Sequence, residues 1–263
     1  FHNKKIKDKV HLPDWTTSER VNYTNRLILI LKELLPTGID GGISTSPISY
    51  KHWYRSTKDK EKAMNQSCKN LINVAIDLIN LKRSFGQMIH IDIEPEPDGI
   101  LESSTDCIDF FNDKLMPYGV PIISKKYNVS KKIAEELIRN HIQICFDICH
   151  FAVGFEKPKQ AIANLNLAGI KIGKIQISSA LSTGKLTSKN HSKIKTELTA
   201  FDEPNYLHQA VIKKKDGQKE HFKDLKQGLD ALNNNSAELR THYHVPIFTE
   251  QYNHLYSTQA EIK

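Results

Sequence analysis

Carboxylates are concentrated in one short segment of this 263-residue chain, Glu94-Pro-Glu-Pro-Asp98. Glu94 and Glu96 follow a predicted β-strand, and side chains two positions apart on a strand share a face at a spacing of about 6.5 to 7 Å. Two ionised carboxylates at that spacing repel each other unless a cation lies between them, so a divalent metal ion is one interpretation. The alternative is a solvated loop in which one of the glutamates pairs with a lysine.

Two further predicted strands carry potential metal ligands. Asp147 lies in the first and His150 just after it, and His242 and His244 lie in the second. Asp147 and His150 form an Asp-Ile-Cys-His segment, and aspartate with neutral imidazole is a usual ligand pair for Zn²⁺, Mn²⁺ or Co²⁺. A buried Asp–His hydrogen bond is the alternative. His242 and His244 share one face of a strand, which suits either metal ligands or core histidines bonded to neighbours.

Other polar residues could bind a substrate beside these groups. Gln176 and Ser178 lie on the polar face of a predicted strand, where a carboxamide can position a substrate hydroxyl but is a poor metal ligand. The polar and aromatic segment 201–208, which ends in His208, is compatible with a lid over a site and equally with an ordinary turn.

The elements that would position these residues are predicted from periodicity. Apolar residues at helical spacing predict helices over 18–35, 59–83, 104–115 and 130–140, with shorter ones after Pro158 and Phe222. Alternating apolar and polar residues predict strands over 41–46, 88–94, 142–148, 174–178 and 242–247. In the second strand, for example, Ile89, Ile91 and Ile93 oppose a polar face.

Strands that alternate with helices indicate βα units and a parallel sheet. Right-handed crossovers would place the helices over the aliphatic face, including that of Ile175 and Ile177, and closure of the sheet would turn the polar face inward. We therefore predict a (β/α)₈ TIM barrel whose mouth carries Glu94, Asp147 and His244. An antiparallel sheet with one solvated face would alternate in the same way and is the structural alternative.

Only about five strands are recognisable, whereas such a barrel uses eight in roughly 250 residues. The sequence therefore predicts one domain over residues 1–263 that is a TIM barrel incomplete at both ends.

Composition narrows the functional classes. The net charge is +7, from 37 basic and 30 acidic residues, but the basic residues are mostly lysines in polar stretches with few aromatic residues between them, which disfavours a nucleic-acid partner. The apolar runs are too short for a membrane span, and no signal segment opens the chain, so a cytoplasmic location is expected. Four cysteines without CxxC spacing indicate free thiols.

Several segments together resemble the metabolite-traffic EboE family, which belongs to the xylose-isomerase-like TIM-barrel superfamily. The resemblance rests on segments that follow one another along nearly the whole chain, at 13–20, 44–47, 94–98, 147–150, 174–181, 201–209 and 242–248.

The resemblance implies a TIM barrel related to sugar isomerases and epimerases, and more distantly to endonuclease IV. Members of the superfamily hold a divalent metal with Glu, Asp, His and Glu from successive strands. Glu94 and Asp147 resemble the first two of these ligands, Gln176 stands where many relatives have a histidine, and His244 is the candidate substitute. The resemblance also implies partners encoded in the same operon.

These observations lead to three sets of predicted site residues. The metal ligands, for Zn²⁺, Mn²⁺ or Mg²⁺, are Glu94, Asp147 and His244, and the catalytic residues are Glu94 and His150. The substrate-binding residues are Glu96, Gln176, Ser178, His208 and His242.

The leading hypothesis is a sugar-isomerase-like protein that acts on or binds a small polar metabolite in a metabolite-traffic pathway, with Glu94 or a neighbour as the base if it is an enzyme. The alternatives are a non-catalytic metabolite-binding protein and a metal-dependent phosphodiesterase.

Overall fold

A computed structural model describes residues 6–203 and 205–262. The chain forms two compact units. We call them the parallel unit (His11–Phe146 and Ile162–Ile175) and the antiparallel unit (6–10, 147–161, 176–203 and 205–262), after the sheet that each contains. The prediction that residues 1–263 form one domain stays a prediction.

Helices begin and end where the sequence supplies capping residues. The longest, α2, is capped by Ser56, whose hydroxyl accepts from the backbone N–H of Asp59 at 3.1 Å, and it ends at Gly86 with φ +77°. The α-helices are α1 Ser18–Leu34, α2 Thr57–Phe85, α3 Ser104–Phe110, α4 Met116–Tyr127, α5 Lys131–His141, α6 Ile148–Val153, α7 Pro158–Leu167, α8 His191–Thr199 and α9 Leu225–Ala231. The predicted helix 104–115 is longer than expected, because α3 continues through a π-helical turn, Phe111–Leu115, into α4.

The parallel unit contains a four-stranded sheet in the order β1-β2-β3-β4. Its strands are β1 Gly41–Thr45, β2 Ile89–Ile93, β3 Ile142–Asp147 and β4 Ile172–Gln176. β1 pairs with β2, and β2 with β3, in parallel register. Both faces of β2 are buried: the aliphatic face of Ile89, Ile91 and Ile93 as predicted, and also the polar face that carries His90 and Asp92.

Two glycines make room for that polar face. His90 Nδ1 lies 2.6 Å from Asp92 Oδ1. A Cβ at Gly42 or at Gly173 would overlap the Asp92 carboxylate. The backbones of β1 and β4 therefore approach this buried pair closely, which only glycine permits.

The antiparallel unit contains a six-stranded sheet in the order β7-β6-β8-β5-β10-β9. Its strands are β5 Ser179–Ser182, β6 Ala210–Lys214, β7 Lys219–Phe222, β8 Ser236–Val245, β9 Gln251–Tyr252 and β10 Leu255–Ser257. β8 is the longest, and it pairs antiparallel with both β5 and β6.

The two faces of this sheet differ in what covers them. Helices α8 and α9 contribute Ile194, Leu198, Leu225 and Leu229 to an apolar core on one face, with Leu239 of β8. On the other face, Cys149 and Val153 of α6 pack against Ala180 and Val211. The core of the unit therefore lies mainly on the α8–α9 side.

The predicted TIM barrel is wrong. Four parallel strands are present, but the predicted strand 242–247 belongs to β8 of a separate antiparallel sheet. The physical reason is that alternation along a strand is the same in both kinds of sheet, whereas β8 pairs antiparallel with β5 and β6. Two other pairs of this sheet are also antiparallel, because β6 and β7 are joined through Gly217 (φ +87°) and β9 and β10 through Asn253 (φ +53°). Connections of so few residues can join only antiparallel strands, since a parallel crossover needs about a dozen or more.

The aliphatic face predicted at the end of β4 is not buried. Ile175 and Ile177 are 52% and 61% exposed, so the aliphatic face expected to pack beneath a helix faces solvent there.

No helix within 6–203 or 205–262 combines the length and the apolar character that a bilayer crossing demands.

The cysteines are buried free thiols, as their spacing predicted. They are Cys68, Cys107, Cys145 and Cys149.

Candidate metal centre

Strand β8 presents two imidazoles on the face opposite the main core. Alternation along the strand places Tyr243 and Val245 against the apolar core of α8 and α9. His242 and His244 therefore point to the other face, as the sequence predicted, and this is the face over which α6 packs.

Helix α6 brings a third imidazole to this face. Its N-cap residue is Asp147, whose Oδ1 accepts from the backbone N–H of Cys149 at 2.9 Å and from the hydroxyl of Ser178 at 2.5 Å. The carboxylate therefore fixes the start of the helix. This places His150, which is 4% exposed, in the first turn of α6.

The three imidazoles form a compact group that we call the histidine cluster: His150, His242 and His244. The ring centroid of His150 lies 4.6 Å from that of His242 and 5.5 Å from that of His244. His242 and His244 are 5.4 Å apart. One ligand nitrogen from each residue lies within 4.8 Å of the other two, so this group could hold a metal ion.

A second group of potential ligands shares His244. One ligand atom each from Asp147, Cys149 and His244 also lie within 4.8 Å of one another. Burial, and then the Asp147 charge, raise the pKa of Cys149 well above its usual value. The thiol is therefore protonated at neutral pH, and the carboxylate is the better donor of the two.

Gln209 fixes the tautomer of His242. Gln209 immediately precedes β6 and lies opposite His242 across the strand pair, where the two backbones share a 2.8 Å hydrogen bond. His242 Nδ1 donates to Gln209 Oε1 at 2.9 Å. Nε2 of His242 therefore carries the lone pair that a metal ion requires.

The electrostatic environment keeps His242 neutral. Burial lowers the pKa of His242 well below its usual value, and His150 and His244 lower it further, whereas Asp147 opposes the shift. A neutral imidazole is the form that binds metal ions, so His242 is ready to coordinate at neutral pH.

The predicted site residues are divided between the two units. Asp147, His150, Ser178, His242 and His244 are brought together in the antiparallel unit, and Gln176 belongs to the same unit at the end of β4. The roles predicted for these residues stay predictions.

Glu94 and Glu96 belong to the parallel unit, just after β2. Glu96 Oε1 lies 3.2 Å from Nδ1 of the buried His11. This histidine is one partner of Glu96, and the alternative that one of the two glutamates pairs with a lysine stays a prediction.

His208 is engaged by its own surroundings. Its Nε2 lies 3.1 Å from Glu203 Oε1, its Nδ1 lies 3.1 Å from the His242 carbonyl oxygen, and its ring stacks on Tyr243 at 4.1 Å. Both ring nitrogens therefore face acceptors within the protein. The lid role predicted for segment 201–208 stays a prediction, and Pro204 in that segment lies outside the described residues.

Sequence reasoning did not single out Gln209, and its prediction that His242 binds substrate stays a prediction. The missing signal is the pairing of β6 with β8, because the bond between Gln209 and His242 joins residues 33 positions apart in the chain.

No protein-family model matches this sequence, and no curated protein matches it. The chemistry of the histidine cluster is therefore inferred from its donor atoms and their geometry.

Proposed function

We propose that the antiparallel unit binds a divalent transition-metal ion at His150, His242 and His244, and that a small polar metabolite binds there through the metal. The observation that carries this proposal is the approach of three imidazole ligand atoms to within 4.8 Å of one another. Nitrogen ligands of a tetrahedral zinc ion lie about 3.3 Å apart, so modest rotations of the rings would bring them into coordination.

The donor set favours a zinc-like ion. Neutral imidazoles suit Zn²⁺, Mn²⁺, Co²⁺ and related ions, whereas Mg²⁺ prefers oxygen ligands and retains its waters. Asp147 adds one anionic oxygen donor near His244. We therefore propose Zn²⁺ as the ion with the best fit and Mg²⁺ as the poorest among the ions predicted from the sequence.

Access to the cluster is from the side of His244. His150 is almost fully buried and His242 is half-buried, but His244 is exposed. Three protein ligands and one open side characterise metal sites that bind exchangeable molecules rather than purely structural sites. A small molecule with several oxygens could therefore reach the ion.

The side chains around the cluster hold its geometry. Oδ1 of Asp147 accepts hydrogen bonds from both the Ser178 hydroxyl and the Cys149 N–H. The other carboxylate oxygen can therefore bind an ion or a metabolite hydroxyl. A bound divalent ion would supply Lewis acidity towards metabolite oxygens. The isomerase or epimerase reaction class remains a proposal from the resemblance alone.

Metal titration of the full chain tests the first half of the proposal. After removal of metals with a chelator, isothermal titration with Zn²⁺ should show one equivalent bound, and His242→Ala and His244→Ala should each lose at least tenfold in affinity. His254→Ala is the matched control, because His254 is an exposed histidine of the same unit that pairs with Glu197 instead. Absence of zinc binding, or equal affinities in all four proteins, would overturn the metal site.

Deuterium exchange tests the second half. The zinc-loaded and the metal-free proteins are incubated in D₂O with a panel of aldoses and ketoses and followed by proton NMR. Metal-dependent loss of the signal from the proton next to the carbonyl supports an isomerase or epimerase. Metal-dependent shifts without exchange support a binding protein, and no response from any sugar contradicts the proposed metabolite class.

A further inference from the structure

Helix α1 carries two apolar stripes, each with the spacing of one helix face. Through the first stripe the helix packs on the parallel unit, where α1 contacts α2 and β1. Thr24 and Ile28 of this stripe are buried, and Leu31 is half-buried. The second stripe is displaced by one residue towards the N-terminus. We call it the exposed stripe, and it consists of Tyr23, Leu27, Ile30 and Leu34.

The exposed stripe is open to solvent over most of its length. Tyr23, Ile30 and Leu34 are 50%, 56% and 73% exposed, and Leu27 is half-buried. Single exposed apolar residues are ordinary on a protein surface. Residues that recur at alternating steps of four and three positions instead form the a and d positions by which one helix packs against another. The stripe therefore has the pattern of a helix–helix contact.

Charged residues border the exposed stripe on one side. With the stripe at a and d of a heptad, the g positions are Glu19, Arg26 and Glu33, and all three residues are exposed. The Glu33 side chain is 76% exposed, although Lys32 Nζ lies 3.3 Å from its carboxylate. Arg26 forms no ion pair with any of the described residues. Arg26 and Glu33 therefore present opposite charges on one free flank of the helix.

The other side of the exposed stripe is not free. Its e positions are Thr24 and Leu31, which belong to the stripe that packs on the parallel unit. In a parallel pair of helices the g residues of one helix face the e residues of the other, whereas in an antiparallel pair g residues face g residues. Only an antiparallel pair therefore sets the free charged flank of one helix against a free flank of the other.

The exposed stripe is complementary to itself in the antiparallel arrangement. When Leu27 of one copy lies opposite Ile30 of a second copy, Tyr23 lies opposite Leu34 of the second copy, because the helices run in opposite directions. A two-fold axis repeats both contacts, as in any isologous interface. Apolar contacts therefore follow one another along the seam without a polar residue between them.

The charges agree with the same register. Arg26 lies two positions from direct opposition to Glu33 of the second copy, which corresponds to about 3 Å along the helix axis. Both side chains are long enough to span that offset, and the two-fold axis makes the pair twice. The nearest g residue to each of these charges is thus one of opposite sign. Charge complementarity therefore favours a second copy of this chain over an unrelated helix as the occupant.

We propose that a second copy of this chain docks on the exposed stripe of α1 in an antiparallel, two-fold arrangement. A single pair of helices of this length buries less than the roughly 800 Å² per partner of a standard interface. The dimer is therefore a weak one that forms in the micromolar range. It uses no residue of the histidine cluster, so its test is independent of the proposed metal function.

Analytical ultracentrifugation of the full chain tests this proposal. Sedimentation equilibrium over protein concentrations from about 1 to 100 μM should show a reversible dimer. Ile30→Asp should raise the dissociation constant at least tenfold, because the seam would bury a charge. Leu29→Asp is the matched control and should leave the dissociation constant unchanged, because Leu29 is 62% exposed on the same helix but lies at position c, outside the exposed stripe.

Two outcomes of that experiment would overturn the proposal. One is a monomer at every concentration, and the other is an equal loss of association in Ile30→Asp and Leu29→Asp. Circular dichroism of both variants should match that of the wild type, because both side chains lie in solvent in the single chain. Zinc affinity of Ile30→Asp should equal that of the wild type, which separates a failure of the dimer from a failure of the metal centre.

Reversal of the charges tests the register. Arg26→Glu and Glu33→Arg should each weaken the dimer severalfold, because both symmetry-related pairs become repulsive. The double variant Arg26→Glu/Glu33→Arg should regain the wild-type dissociation constant, since the pairs return with their signs exchanged. A double variant as weak as the single variants would overturn the proposed arrangement.

Disulfide cross-linking tests the direction of the helices. A mixture of the Tyr23→Cys and Leu34→Cys proteins should form a mixed disulfide under mild oxidation, because the two positions face each other. Leu34→Cys alone should not cross-link, since its two copies lie about 16 Å apart along the axis, beyond the reach of a disulfide. A cross-link in Leu34→Cys alone would show a parallel pair and would contradict the proposal.

Vesicles distinguish a second copy from a lipid surface as the occupant. The full chain is sedimented with vesicles of phosphatidylcholine and phosphatidylserine, and the dimer should form equally well in their presence. A chain that is monomeric in solution and sediments with the vesicles only while Ile30 is intact would assign the exposed stripe to a membrane surface and would contradict the dimer.

Discussion

The imidazole of His242 is oriented by the side chain of Gln209, which accepts its Nδ1 hydrogen at 2.9 Å across two antiparallel strands. This bond determines which nitrogen of His242 faces the rest of the histidine cluster. Outer groups of this kind are part of a metal site even though they do not touch the ion. Gln209 is therefore a positioning residue of the proposed centre.

Substitution of Gln209 should weaken metal binding without removing a ligand. Gln209→Ala should lower the affinity for Zn²⁺ by roughly 10- to 100-fold, because the imidazole loses its fixed tautomer and orientation. Gln209→Glu should retain the wild-type affinity or exceed it, since a carboxylate also accepts from Nδ1. Competition with a chromophoric chelator measures these affinities.

Gln218→Ala provides the control for that experiment, because Gln218 is an exposed glutamine in the β6–β7 connection. If Gln209→Ala bound zinc as tightly as Gln218→Ala does, the hydrogen bond would have no part in metal binding.

Zinc should also stabilise the folded protein. At a free concentration one hundred times the dissociation constant, one site contributes about 2.7 kcal/mol to the free energy of unfolding. At the same zinc concentration, His244→Ala should lower this gain to about 1.4 kcal/mol or less, because its affinity falls at least tenfold. The stability of the metal-free protein should change little, because His244 is exposed. Urea denaturation with and without Zn²⁺ measures both quantities, and an undiminished zinc-dependent gain in His244→Ala would speak against this histidine as a ligand.

A histidine of the parallel unit should make stability depend on pH. Burial lowers the pKa of His141 to about 4 from its usual value of 6.5. Its Nδ1 donates to the Ile89 carbonyl oxygen at 2.7 Å, and its buried Nε2 meets no acceptor among the described residues. A proton on Nε2 would therefore be buried without a partner.

The sign of the effect follows from proton binding in the two states. Between pH 4 and 6.5 the unfolded chain binds more protons at this position than the folded chain does, so stability rises with pH across that window. The difference in pKa corresponds to about 3 kcal/mol lost as the pH falls through it. Urea denaturation from pH 4.5 to 7.5 measures the slope.

His141→Asn should flatten this dependence, because the asparagine amide can still donate to Ile89 but does not titrate. His254→Asn, at an exposed position, is the comparison. An identical pH slope in wild type and His141→Asn would rule out His141 as the source.

Local structure was predictable where local residues decide it. The helix predicted over 130–140 is α5, Lys131–His141, and the alternation of β2 placed Ile89, Ile91 and Ile93 together in the core. The partner of each strand was not predictable in this way. Alternation along 242–247 is the same for a barrel strand and for an antiparallel strand, and only the pairing of β8 with β5 and β6, which lie far from it in the chain, distinguishes the two.

The residues of the candidate site could be predicted from local spacing, but their contacts with one another could not. Spacing alone placed His242 and His244 on one face, and Asp147 and His150 at the end of a strand. Which of these groups meet depends on the docking of α6 against β5 and β8, and that is tertiary information. The sequence therefore identified most of the donors but not their grouping, and it missed the residue that orients one of them.

The close approach of Gly173 to Asp92 should make substitution of that glycine by alanine destabilising. Gly173 has no positive φ, so alanine would fit its backbone, but the added Cβ would overlap the buried Asp92 carboxylate. Overpacking of this kind costs about 1–3 kcal/mol. Gly173→Ala should lower the free energy of unfolding by that amount, as measured by urea denaturation. In the control Gly154→Ala, the new Cβ would lie 3.5 Å from its nearest neighbour and φ is −71°, so stability should change little. Equal stabilities of Gly173→Ala and Gly154→Ala would contradict the close approach of β4 to the Asp92 carboxylate.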